Sequence, residues 1–254
     1  MAEPPALPRE VPPDPRRAVA GRVYLVGAGP GAPDLLTLRA ARLLEQADVV
    51  LTDALVHPDT LALARRASIV PVGKRAGVPS PKQTEINRLL VEAARGHACV
   101  VRLKGGDPMV FGRAQEEIDA LRAAGIEFEV VPGVTAVLAA SAELRRPLTQ
   151  RARSRHFVMV TPKHAEGTPE NDWVRPIVDA DAAAVYMGGA AVSDIAATLL
   201  RAGRPASTPV VLGHNVSLPD ARYVESTLGE VASGAVTVMA PVLILIGETF
   251  GDSP

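Results

Sequence analysis

The chain has 254 residues, 47% of them apolar, and a mean hydropathy of +0.15. This is enough to fill one large domain or two small ones and excludes a disordered protein. A formal net charge of −1 excludes the basic footprint of a general nucleic-acid binder. No apolar run approaches the ~18–20 residues that cross a bilayer, and no charged-then-apolar leader opens the sequence. A lone cysteine cannot form an internal disulfide, which fits a reducing cytoplasm.

Residues 1–20 carry six prolines among charges and read as a tail that does not pack. From Arg22 onward, strand and helix patterns alternate. Val23 to Val26, Ala47 to Leu51 and Ile69 to Val72 read as strands, with helices predicted over Thr37 to Gln46 and Pro58 to Arg66. A helix over Gln83 to Arg95 places Ile86, Leu89, Leu90 and Ala93 on one face. The strand Cys99 to Leu103 follows, then a helix from near Gly112 to Gly125 and a strand Phe128 to Val131. Such alternation argues for a parallel sheet.

Pro132-Gly133 breaks the pattern, and a short small-residue helix (Thr135 to Ala142) follows. The expected organisation is therefore a tail (1–20), an N-terminal domain (21–134) and a C-terminal domain (135–254). In the second domain, strands are predicted at Phe157 to Thr161, Ala183 to Met187 and Val210 to Leu212, with a helix over Asp194 to Ala202. The closing segments Ala221 to Ser226 and Val242 to Ile246 are expected to pair antiparallel, giving a mixed sheet.

Two glycine turns stand out. Gly105-Gly106-Asp107-Pro108 ends an apolar strand and bares backbone beside one carboxylate, at the strand end where open α/β sheets bind ligands. Gly27-Ala28-Gly29-Pro30-Gly31-Ala32 matches a loose dinucleotide fingerprint, with Asp53 at the distance of a ribose-binding acid. That would imply a nicotinamide dehydrogenase. Pro30 and Pro33, however, remove two amides that a phosphate cradle needs. The better helix start, at Asp34 or Thr37, also comes too late. The loop reads as a rigid wall.

These turns occur with Asp34-Leu35-Leu36-Thr37, Gly73-Lys74-Arg75-Ala76-Gly77, Gln83-Thr84-Glu85-Ile86-Asn87, Pro132-Gly133-Val134-Thr135-Ala136, Pro147-Leu148-Thr149 and Tyr186-Met187-Gly188. In their order and spacing over about residues 21–250, the chain resembles the uroporphyrinogen-III C-methyltransferases of the tetrapyrrole methylase superfamily. The resemblance implies an α/β fold of two αβα domains, a mostly parallel N-terminal sheet, a mixed C-terminal sheet, and an active site in the cleft between them. It implies a homodimer that uses S-adenosylmethionine, without a metal, and releases S-adenosylhomocysteine. The substrate would be uroporphyrinogen III, methylated at C2 and then C7 to give precorrin-2 for sirohaem or cobalamin. The length leaves no room for the fused module that some relatives carry.

By the same resemblance, Pro30, Gly105, Gly106, Asp107, Val110, Thr135, Ala136, Met187 and the backbone near Val216 contact the donor. Asp107 would accept from its ammonium or hydroxyls, and Met187 would offer an apolar wall. Asp53 is implied as proton acceptor and Lys74 as proton donor. Taken alone, Asp53 also reads as a helix cap before Pro58, and Lys74 as a solvated charge. Arg145, Arg146, Arg151, Arg153 and Arg155 cluster where guanidinium forks can meet the carboxylates of the substrate. Thr149 sits among them, and Arg102, Lys104 and Arg113 are expected on the other wall. Glu116 and Glu117 are expected on an exposed helix face. The sequence departs from the family pattern at Gln150, where a histidine is usual, at Pro162, and at Gly213-His214-Asn215. These departures keep two other readings open: a methyltransferase of a later corrin precursor, and a non-catalytic tetrapyrrole-binding relative.

Overall fold

The computed structural model describes residues 21–73, 82–151, 154–163 and 172–251. Two compact units divide the chain: Met1–Val26, Thr37–Lys104 and Arg113–Pro132 in the first, and Gly27–Leu36, Gly105–Gly112 and Gly133–Pro254 in the second. The single boundary drawn from sequence, at residues 134/135, omits the two loops that group with the later part of the chain.

The first unit holds a five-stranded sheet: β1 (Arg22–Gly27), β2 (Val49–Thr52), β3 (Ser68–Pro71), β4 (Cys99–Lys104) and β5 (Phe128–Val131), in the order β3-β2-β4-β1-β5. The β1–β5, β2–β3 and β2–β4 pairs are parallel. The central strands β2 and β4 are buried at every position, as strands covered on both faces must be. Around them lie α1 (Leu38–Gln46), the single-turn α2 (Pro58–Leu61), α3 (Gln83–Gly96) and α4 (Ala114–Ala123). Ile86, Leu90 and Ala94 of α3 and Ala114, Ile118 and Leu121 of α4 pack on Val23, Leu25, Val49, Leu51 and Val100. Each set recurs at three- to four-residue spacing, which makes one helix face apolar.

This strand order has a functional consequence. After β1 the chain crosses to β2 on one side; after β4 it crosses to β5 on the other. Adjacent strands whose connections run in opposite directions form a topological switch point, where ligands bind at the carboxyl ends. The two loops leaving this point are Gly27–Leu36 and Gly105–Gly112.

The second unit adds α5 (Ala136–Leu144), β6 (Phe157–Val160), α6 (Val174–Asp179), β7 (Ala182–Val185), α7 (Val192–Arg201), β8 (Pro209–His214), β9 (Arg222–Thr227), α8 (Leu228–Ala232) and β10 (Val242–Gly247). Its sheet runs β6-β7-β10-β8-β9. Only β6–β7 is parallel; β7–β10, β10–β8 and β8–β9 are antiparallel. The two closing strands, expected to pair with each other, instead flank β8. Alternation sends Ala183, Val185, Val210, Leu212, Ile244 and Ile246 to one face, with residues of α6, α7 and α8. Ala182, Ala184, Val211, Leu243 and Leu245 go to the other face, against Val137, Ala139 and Ala140 of α5. Among the described residues, no helix is long and apolar enough to cross a membrane.

Candidate active site

All nine residues implied for donor contact fall in the second unit. Its two glycine loops are joined backbone to backbone: Gly106 N–H donates to Gly29 O (2.7 Å) and Gly29 N–H to Gly106 O (3.2 Å). Gly133 completes the stack. A Cβ on Gly133 would lie 2.3 Å from Gly106 O, and one on Gly27 would lie 2.6 Å from the Gly133 backbone. These positions are glycine because three backbones meet there. A Cβ on Gly106 would approach nothing closer than 3.9 Å, but φ of +66° favours glycine.

Asp107 locks the arrangement. Its Oδ1 accepts from Met109 N–H (2.8 Å) and its Oδ2 from Gly133 N–H (2.9 Å). Each carboxylate oxygen therefore holds a backbone amide, so Asp107 orders the loops around the site. Val110 closes the turn by donating to Asp107 O (3.2 Å).

The start of α5 is tied to the end of β7. The Tyr186 hydroxyl shares a hydrogen bond with Thr135 Oγ1 (2.8 Å) and accepts from Val137 N–H (3.1 Å). Burial raises the Tyr186 pKa, and the Thr135 and Val137 hydrogen bonds offset this only in part. The Tyr186 ring stacks obliquely on Phe111, with centroids 5.2 Å apart. Met187 follows in the left-handed region (φ 58°) and is half exposed. Val216 is buried. Next to it, Ser217 Oγ accepts from Ala32 N–H (2.9 Å), joining the loop after β8 to the one carrying Pro30.

In the first unit, Asp53 directly follows β2, with its N–H on Leu103 O (3.1 Å). It is not the helix cap that one reading of the sequence offered. His57 caps α2, its Nδ1 accepting from Asp59 N–H (3.2 Å). Asp53 belongs instead to an ion network. Arg102 Nη2 donates to Asp53 Oδ1 (2.6 Å) and Arg102 Nε to Glu117 Oε1 (2.8 Å). Lys104 Nζ donates to Glu117 Oε2 (2.9 Å) and Oε1 (3.0 Å). Glu117 is 0% exposed, and Arg102 and Lys104 are each 2% exposed. Burial opposes the Arg102 charge, but Glu117 and Asp53 more than offset this and its pKa is raised. Burial, with the charge of Arg102, lowers the pKa of Lys104 against the pull of Glu117.

Two expectations are corrected here. Glu117 is not on an exposed face; it lies on the stripe of Ala114, Ile118 and Leu121, three residues from Ala114, and that spacing was legible. Arg102 and Lys104 do not stand free on a substrate wall, because Glu117 and Asp53 hold their donors. Glu116 is exposed as expected and takes Arg113 in a two-point pair (2.7 and 2.8 Å).

The arginine cluster divides. Arg146 donates to Phe250 O (2.8 Å) and to Glu225 (2.8 Å). Arg145, Arg151 and Arg155 are exposed, as is Thr149, while Gln150 bridges the backbone of Ser154. Lys74 and Arg153 lie outside the described residues. Among the described residues, no group of three or more His, Cys, Asp or Glu is placed to hold a metal ion.

Against known proteins, residues 22–232 match the family model of tetrapyrrole (corrin/porphyrin) methylases. The chain belongs to the tetrapyrrole methylases. A uroporphyrinogen-III C-methyltransferase of Pseudomonas aeruginosa is 42% identical over 92% of this chain and 96% of its own length. A siroheme synthase of Azotobacter vinelandii is 46% identical over 90% of this chain and 50% of its own. The chain spans about half the length of the siroheme synthases it matches. A Thermus thermophilus uroporphyrin-III C-methyl transferase, solved with S-adenyl homocysteine, is 47% identical with a TM-score of 0.81, covering 90% of this chain and 98% of its own. Family membership removes the dehydrogenase reading.

Proposed function

We propose that the chain transfers methyl groups from S-adenosylmethionine to C2 and then C7 of uroporphyrinogen III, giving precorrin-2 by way of precorrin-1. The observation that carries this reading is the locked pair of glycine loops at the switch point, with Asp107 and Gly133 holding them. It is supported by the likeness to a methyl transferase solved with the demethylated donor.

When bound, the donor supplies an electrophilic methyl group on a sulfonium. The chain's part is alignment, since reacting atoms held about 3–3.5 Å apart gain most of the available advantage. Gly105 and Gly106 present bare backbone, Pro30 makes the loop stiff, and Thr135 and Ala136 open α5 at the site. Met187 and Phe111 supply apolar surface, and a thioether adapts to an irregular ligand. The reduced macrocycle is electron-rich, so attack by its pyrrole carbon needs no metal. Asp53 takes the proton that the alkylated ring must lose, and Lys74 returns one during rearrangement. The carboxylates of the macrocycle meet Arg113, Arg151 and the other exposed arginines, with Arg146 and Thr149 beside them. The chain acts as a cytoplasmic homodimer, and its product serves sirohaem or cobalamin synthesis.

The deciding experiment is a coupled assay that generates uroporphyrinogen III in place, followed by mass analysis. Two added methyl groups are expected. None would mean a tetrapyrrole binder, and one would demand a different regiochemistry. Calorimetric titration with NAD and no response to S-adenosylmethionine would refute the donor assignment.

A further inference from the structure

The proposed chemistry leaves Glu117 of α4, a buried ionisable group, without a task. It is 0% exposed and holds both Arg102 Nε (2.8 Å) and Lys104 Nζ (2.9 and 3.0 Å). The far edge of the same guanidinium, Nη2, is 2.6 Å from Asp53 Oδ1, and Nη1 donates to Leu103 O (3.2 Å). A guanidinium is planar and its donors are fixed relative to one another. Anchoring Nε on a carboxylate that cannot move therefore sets the direction of Nη2. Asp53 Oδ1 is taken up by that bond, and Oδ2 remains on a side chain that is 32% exposed.

We propose that Glu117 is a positioning residue for methyl transfer: through Arg102 it fixes the orientation in which Asp53 offers its second carboxylate oxygen to the tetrapyrrole. This rests on the reading of Asp53 as proton acceptor. The charges support it. Two cations and two carboxylates sum to zero, so Lys104 lets a single buried carboxylate hold Arg102 without leaving a net charge in the sheet–helix layer. Apolar residues of the same volume would hold α4 to the sheet as well or better. What they could not supply is a fixed donor at Asp53.

Glu117→Leu alone would strand a buried cation, so the test uses the charge-balanced pair Glu117→Leu with Lys104→Met, which removes the acceptor of Arg102 Nε. Arg102→Lys is the second variant, since it keeps the charge but one ammonium cannot span Glu117 and Asp53 as a fork does. Asp53→Asn is made in parallel. Thermal midpoint and S-adenosylhomocysteine affinity report folding and the donor site; kcat and KM report the reaction. The expected result is a fall in kcat of about ten- to hundredfold in the double variant and in Arg102→Lys, with KM and S-adenosylhomocysteine affinity within about threefold of wild type. Asp53→Asn should fall at least as far. Wild-type kcat in either folded variant, beside an impaired Asp53→Asn, would overturn the positioning role alone. Wild-type kcat in Asp53→Asn would overturn the Asp53 assignment and this proposal with it.

Discussion

Gly133→Ala tests the loop stack most directly. Its added Cβ would stand 2.3 Å from Gly106 O, 2.8 Å from Gly27 Cα and 3.0 Å from Gly27 C. A carbon and a carbonyl oxygen settle at about 3.3–3.6 Å, so the backbones must part by about 1 Å. No flexible side chain is present to absorb that movement. Forced overpacking costs about 1–3 kcal/mol. If the loops carry that cost, S-adenosylhomocysteine should bind about five- to 150-fold more weakly. The Gly133 N–H bond to Asp107 and the Gly29–Gly106 bridge would stretch together, so the defect should appear in donor binding before it appears in substrate binding. Gly96→Ala is the control. It ends α3, meets no atom within 4 Å, and its φ does not require glycine. There alanine should be neutral or stabilising by about 0.5–1 kcal/mol. Calorimetric titration and a melting curve on both variants make the comparison. A Gly133→Ala protein that melts like wild type and binds S-adenosylhomocysteine within about twofold would refute the stack as the frame of the site.

Asp107→Asn leaves one acceptor oxygen for two amides, so either Met109 or Gly133 loses its partner. At about 1.5–3 kcal/mol for a charged hydrogen bond, S-adenosylhomocysteine affinity should drop about ten- to hundredfold, and further for Asp107→Ala, which leaves neither amide an acceptor. Tetrapyrrole KM should move less; an equal loss of both would make Asp107 a general structural element. Raising ionic strength from about 0.1 to about 1 M shortens screening from ~10 to ~3 Å and should raise KM for the polycarboxylate with little change in kcat. A salt-independent KM would remove the exposed arginines from the site. Cys99 is buried, which, with the nearby Asp48 charge, pushes its thiol from 9.0 up to about 11. The folded state thus holds a proton that the unfolded chain gives up first. The resulting stability, on the order of 2–3 kcal/mol, is full below pH 9 and lost as pH rises through about 11. Denaturant melts of wild type and Cys99→Ala between pH 8 and 11 should converge; parallel curves would refute it.

The sequence made the strands legible because β1, β2 and β10 carry apolar runs buried on both faces, as does the Cys99–Val101 half of β4. It did not give their neighbours in the second unit. Alternation reports which face a residue points to, and this is the same whether β10 pairs with β9 or with β8. α8 shows no periodicity in the sequence because it is one short turn and a half, although Thr227 and Glu230 form a capping box that marks its start. α6 had no such mark: it has no side-chain cap and carries Pro176 in its first turn. The charge of Glu117 suggests solvent, but its position in the helix decides otherwise. Its spacing from Ala114 and Leu121 puts it on the buried stripe, where only paired charge is tolerated.

The glycine loops could be found from sequence because close backbone approach demands one residue type. The loops around them carry no such local mark, because they hold ordinary residues in unusual conformations, and only the family resemblance points to Met187. Six non-glycine residues among those described have positive φ. Arg145 ends α5, a common place for it. The other five are Phe111 and Arg113 after β4, Met187 after β7, and Asn215 and Ser217 after β8. A methionine or phenylalanine gains nothing local from that region, which costs on the order of 1–3 kcal/mol per residue, and such strain collects where a ligand must be met. The surroundings hold two of them there: Phe111 by the Tyr186 ring, and Ser217 by Ala32 N–H and by Glu143, which also takes the Tyr223 hydroxyl. Met187→Gly should therefore relieve strain and raise the melting temperature while weakening donor binding. A variant that lost stability and affinity together would show that Met187 is there for the core and not for the ligand.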